Sequence, residues 1–203
     1  MLTVSWNASD WQDVRLTYKE IAEKREDGSL PFGQVPVLEV DGQTYSQSKA
    51  ILCYVGRQSG LYTDDLMVET NQILEALTDI TNVLRPAWYG AVLGRSPVSG
   101  QPLLPLSSTQ RDEVLHLLNT EVLPARFDQL EQLLKRMSAG PYACGAHLTI
   151  ADLSLYVFAE ELRDGSGVPP GISCTLLDNC PRILALARHV STHPKVAEWN
   201  RRH

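Results

Sequence analysis

Residues 31–58 read PFGQVPVLEVDGQTYSQSKAILCYVGRQ, and this stretch decides the fold. Val37, Leu38 and Val40 form a run rich in β-branched residues, which predicts a strand. Asp41-Gly42 then predicts a tight hairpin turn into a short second strand. Pro36 has no backbone N–H, so it belongs where a strand begins, and a Val-Pro bond there can be cis. Ser46 to Ser48 open a helix whose apolar positions are Ile51, Leu52, Tyr54 and Val55. Ser46 or Ser48 is expected to cap that helix, and its N-terminus offers backbone N–H groups to an anion.

Working outward, the first thirty residues are short for what should precede such a hairpin. Leu2 to Trp6 reads as one strand, and Val14, Leu16 and Tyr18 alternate as a second. Ile21 to Glu26 is polar and reads as a loose helical turn that ends near Gly28. A strand–helix–strand opening does not fit, because even a short helix takes about 8 residues and too few lie between Trp6 and Trp11. Without that element the sheet would keep an uncovered apolar edge and lose stability.

Residues 59–66 read as a linker. Beyond it, Ile73, Leu77, Ile80, Leu84 and Trp88 recur at spacings of three and four, which predicts one long amphipathic helix over 67–89. Residues 94–108 are rich in Pro and Gly and predict a loop. Thr109 with Asp112 suggests the cap of a further helix running to Met137, with Pro124 breaking or kinking it. In 147–163, HLTIADLSLYVFAEELR, Thr149 is placed to cap a helix with Asp152 at its third position, a structural role for that carboxylate. A Gly- and Pro-rich loop follows, then two short helical pieces divided at His193-Pro194.

The chain has 203 residues, 43% hydrophobic and 21% charged, with a formal net charge of −6. That charge argues against nucleic acid as a partner, which wants a basic face. The longest apolar runs fall short of the ~20 residues that span a membrane. The opening MLTVSWNASD lacks the basic start and apolar core of a signal peptide. Cys53, Cys144, Cys174 and Cys180 show no CxxC spacing and suit a reducing cytoplasm, with Cys53 a core residue of its helix. The five histidines show no ligand spacing, so no metal is expected.

The stretch 31–58 resembles the glutathione-binding half of the cytosolic glutathione transferases, most closely the sigma class. The cap-bearing segment 147–156 carries a second, shorter resemblance, and the likeness as a whole runs from residue 10 to 200. It implies an α/β thioredoxin-like N-terminal domain over 1–60 and an all-α C-terminal domain over 67–203. It also implies that Val35-Pro36 and Gln47-Ser48 hold glutathione, with Gln34 beside them. The chemistry fits those residue types. A residue before Pro is held extended, so the main chain of Val35 can pair with the cysteinyl segment as an added strand. Ser48 and the helix start can take the γ-glutamyl carboxylate, and the Gln47 amide both donates and accepts. Lys24 or Arg25 stands where a basic residue meets the glycyl carboxylate in relatives. Phe32 stands where an aromatic plugs a pocket of a second subunit, which implies a homodimer.

The resemblance further implies an enzyme. It would conjugate reduced glutathione, as co-substrate and without another cofactor, to an electrophilic small molecule, or isomerise a prostaglandin-like one. In the family a hydroxyl donates to the glutathione sulfur and stabilises the thiolate that attacks. Val4 or Ser5 falls at that position. Val4 has no hydroxyl, and the register turns Ser5 to the other face, so no catalytic residue is assigned. Three alternatives follow: a non-catalytic binding or structural protein of this fold, a translation-factor-type scaffold, or a truncated isoform with weak or no activity.

Overall fold

The computed structural model describes residues 11–94, 96, 101–102, 106–137 and 139–202. The chain divides into two compact units, Met1–Asp65 and Leu66–His203. The expected strand over Leu2 to Trp6, with Val4 and Ser5, lies outside the described residues.

In the first unit the expected strand through Val14, Leu16 and Tyr18 is replaced. Residues 11–17 take no regular structure, and Tyr18 instead begins α1, Tyr18–Glu26. A strand is held by a ladder partner, and residues 11–17 find none among the described residues. A helix start is satisfied locally. Thr17 Oγ1 accepts from the Glu20 N–H, and Glu20 Oε2 accepts from the Thr17 N–H at 2.7 Å. This reciprocal cap closes two otherwise open donors, so the expected loose turn is a full nine-residue helix.

The hairpin forms as read. β1, Val37–Val40, pairs antiparallel with β2, Gln43–Ser46, with Val40 opposite Gln43. Asp41 and Gly42 both take positive φ, 50° and 76°, which the right-handed twist of a two-residue hairpin turn requires. The Val35-Pro36 bond is cis. α2, Ser48–Gln58, follows, and its Ile51 and Val55 pack with Leu38 of β1 and the half-buried Tyr54. Cys53 is half-buried on the same helix. Arg57 pairs with Asp64 beyond the helix end.

The second unit is all helical. α3, Met67–Ala87, buries Ile73, Leu77, Ile80 and Leu84, four of the five positions that the spacing picked out. Pro86 sits near its end, and the chain passes into a π turn, Trp88–Leu93. α4, Ser108–Leu117, is capped by Ser107 with Gln110, not by Thr109 with Asp112. The same Ser/Thr-x-x-Gln/Glu chemistry is available two residues earlier and closes both amides there. α4 leads through a second π turn, Leu118–Val122, into α5, Leu123–Met137. Pro124 therefore marks the expected break: it has no N–H to continue the ladder, and the turn before it widens. α6, Ile150–Asp164, packs on α3 and on α7, Pro181–Ser191; α5 packs on α3 and α7 as well. α8, Pro194–Arg202, closes the chain. Phe127, Ile150, Leu155, Leu162, Ile183 and Leu186 are fully buried among these helices. Each such side chain contributes about 2 kcal/mol of burial.

Among the described residues of this unit two carboxylates are buried, and both are bonded. Asp152 is 0% exposed. Its Oδ2 accepts from the Thr149 N–H and hydroxyl, both at 2.8 Å, and its Oδ1 accepts from the Ala143 N–H at 2.7 Å. Glu131 of α5 accepts from the Arg182 and Ile183 N–H groups at 2.8 and 2.9 Å, which closes the start of α7, and pairs with Lys135. Asn119 in the second π turn holds the loop before α7, donating to the Gly171 carbonyl and accepting from the Ser173 N–H.

Candidate functional site

The groove of the first unit is assembled from three adjacent pieces of chain. The loop after α1 folds back on the helix end. The Leu30 N–H donates to the Lys24 carbonyl, the Gly33 N–H to the Leu30 carbonyl, and the Arg25 Nε–H to the Gly33 carbonyl at 2.5 Å. Leu30 is buried and anchors the loop from below. This leaves Gln34 and Val35 exposed on a fixed rim, directly before Pro36 and β1. The second piece is the end of β2, and the third is the start of α2.

Gln34, Val35, Pro36, Gln47 and Ser48 line this one groove, together with Phe32 and Ser46. Sequence reasoning named Ser46 only as a helix cap and Phe32 only as an interface residue. Their adjacency to the named positions was the available signal. The sequence does not distinguish Lys24 from Arg25. The structure turns Arg25 to the Gly33 carbonyl and leaves Lys24 half-buried.

The start of α2 differs from the expectation. Neither Ser46 nor Ser48 caps it. Gln47 occupies the N-cap position with φ 71° and ψ 111°, and its side chain makes no cap bond. A left-handed φ at a non-glycine residue costs about 1–3 kcal/mol and persists where the surroundings impose it. Glutamine carries no special tendency toward that conformation, so composition could not foretell it. The consequence is chemical. Ser46, Gln47 and Ser48 line the groove at the start of α2, where the positive end of the helix dipole lies. Such an arrangement takes a carboxylate. Val35, exposed before the cis bond to Pro36, lines the same groove.

Phe32 is 64% exposed. Tyr45 stacks on Tyr54, with ring centroids 5.2 Å apart, and Tyr18 is almost fully exposed on α1. Among the described residues there is no group of His, Cys, Asp or Glu that could hold a metal ion, and no helix long and apolar enough to cross a membrane.

Comparison with known proteins identifies relatives of the chain. Residues 105–203 match the family described as glutathione S-transferase, C-terminal domain. Glutathione S-transferase alpha-5 of Rattus norvegicus is 30% identical over 185 residues, covering 90% of this chain and 73% of the rat protein. Glutathione S-transferase 1 of Ascaris suum is 28% identical over 204 residues, covering 93% and 88%. Among solved structures, monomeric Na-GST-3, a glutathione S-transferase of the hookworm Necator americanus, superposes with a TM-score of 0.74. It is 25% identical, with 100% of this chain and 88% of that one covered. A thioredoxin-like α/β half followed by an all-helical half is the fold these proteins share with the chain. The chain belongs to the glutathione S-transferase family.

Proposed function

We propose that the chain binds reduced glutathione in the groove lined by Gln34, Val35, Pro36, Gln47 and Ser48, and conjugates it to electrophilic small molecules by thiolate attack. One observation carries the reading: the start of α2, whose N-cap Gln47 makes no cap bond, and the exposed Val35 line a single groove. The first suits the γ-glutamyl carboxylate and the second suits the cysteinyl main chain. No further cofactor is needed, since the thiol is the nucleophile once ionised. The motif of 31–58 supports a sigma-like type within the family, and the thiols suit the cytoplasm.

A second reading, binding without thiol activation, is favoured by the hydroxyls that line the groove. Among the described residues they are those of Ser46 and Ser48, at the carboxylate end, while Tyr45 is stacked on Tyr54. The test is a titration of bound glutathione followed by thiolate absorbance. A midpoint well below the free thiol's value of about 8.5 supports the transferase reading. Binding with an unshifted midpoint leaves the binding protein, and absence of binding overturns both.

The exposed Phe32 supports a homodimer anchored at this side chain. The hookworm relative is described as monomeric, so the assembly state is a sharp test. Sedimentation should give a dimer that Phe32→Ser converts to monomer. A monomeric wild type overturns the proposal.

A further inference from the structure

We propose that Arg25 is a positioning residue for the glutathione groove, acting through the Gly33 carbonyl and not through contact with the ligand. The inference rests on the glutathione reading above. Arg25 lies in the last turn of α1, and its Nε–H donates to the Gly33 carbonyl at 2.5 Å. Its stem lies along the same residue. A Cβ on Gly33 would sit 3.6 Å from Arg25 Cγ and 3.9 Å from both Cδ and Nε.

Gly33 is the residue that needs such a brace. Its φ of 62° is a conformation glycine adopts freely and leaves as freely. Its own N–H is fixed to the Leu30 carbonyl at 2.8 Å, so one side of the residue is tied to the loop. The Gly33 carbonyl belongs to the peptide that joins Gly33 to Gln34. Fixing that oxygen sets the rotation of the peptide plane and therefore the direction in which Gln34 and the Val35 edge leave the loop. A charge-assisted bond from a guanidinium is stronger than a neutral one and resists competition by water at an exposed site. Arg25 thus couples a rigid element, α1, to the one rim of the groove whose geometry the fold otherwise leaves to a glycine.

Substitutions can separate this role from direct contact with the glycyl carboxylate. In Arg25→Gln the amide nitrogen stands the same number of bonds from the main chain as Arg Nε, so a donor to Gly33 survives while the charge is lost. Arg25→Met keeps the stem and loses both. The measurement is calorimetric affinity for glutathione and for γ-glutamylcysteine, which lacks the glycyl group, with melting temperatures recorded alongside. Arg25→Met should weaken both ligands by a similar factor, about fivefold, and Arg25→Gln should restore most of the affinity for both. The proposal is overturned if Arg25→Gln is as weak as Arg25→Met, if the loss vanishes with γ-glutamylcysteine, or if Arg25→Met binds like wild type. A wild type that binds neither ligand sinks the glutathione reading and the brace with it, whereas the other three outcomes leave glutathione binding standing.

Discussion

Two helix starts of the helical unit and one of the α/β unit are treated in opposite ways, although α1 of the α/β unit is itself closed by Thr17 and Glu20. In the helical unit the starts of α6 and α7 are closed by buried carboxylates of the chain itself, Asp152 and Glu131. In the α/β unit the start of α2 is left with a strained Gln47 and no side-chain cap. The cores differ in the same sense. Among the described residues the α/β unit buries the apolar side chains of Leu30, Ile51, Val55 and Leu61, whereas the helical unit buries apolar side chains on α3, α5, α6 and α7 alike. Polar groups that are satisfied internally add stability, and polar groups left facing a groove add affinity.

The largest test of this contrast is Asp152→Ala. It removes the acceptor of two buried N–H groups and a hydroxyl, and should cost about 3 kcal/mol in denaturant unfolding. If it costs under about 1 kcal/mol, the helical unit does not depend on internal capping. The same residue sets a pH signature. Burial pushes the Asp152 carboxyl up from its ordinary range, against the N–H bonds from Ala143 and Thr149 that pull it down. The folded chain therefore holds this proton to higher pH than the unfolded chain does. Its contribution is fully present below the unfolded value and declines as pH climbs through the folded one. The margin of wild type over Asp152→Ala should narrow across that window in parallel urea melts.

Glu131→Ala comes next, at about 2 kcal/mol, because it uncovers two amides at the start of α7 and leaves Lys135 without this partner. The α/β unit should respond in the other currency of the contrast, affinity. Ser48→Ala should weaken glutathione binding about tenfold and change the melting free energy by under about 0.5 kcal/mol. Equal losses in both readouts would show Ser48 to be an ordinary structural residue. The smallest effect is the most discriminating. Gln47→Gly relieves the positive φ and should stabilise the chain slightly, by about 1 kcal/mol or less, while reducing affinity through loss of the amide. Stability and binding moving together in that variant would collapse the distinction between the two units.

The sequence disclosed most where local chemistry decides. Asp41-Gly42 specified its turn, the spacing of Ile73 to Leu84 specified the buried face of α3, and Thr149 with Asp152 specified the start of α6. It misled where a competing local solution was at hand. Val14, Leu16 and Tyr18 carry strand periodicity, yet among the described residues they find no ladder partner, and the cap that Thr17 and Glu20 form starts a helix at Tyr18. Ser107 outbid Thr109 for the same reason, a better-placed box two residues upstream. At the groove the named residues did come together, but what shapes it was hidden. No pattern announces that Gln47 will take φ 71°, or that Arg25 will turn to Gly33 rather than outward, since both follow from three-dimensional neighbours.

The open first turn of α2 has a thermodynamic corollary. A ligand that fills it belongs to the folded state alone, because the unfolded chain has no aligned amides to offer. Glutathione would then act as a removable part of the fold. At a free concentration a hundred times its dissociation constant it would add about 2.7 kcal/mol to the unit it completes. Depletion of glutathione would thus register as a shift in hydrogen exchange at Ser48 and Ala50.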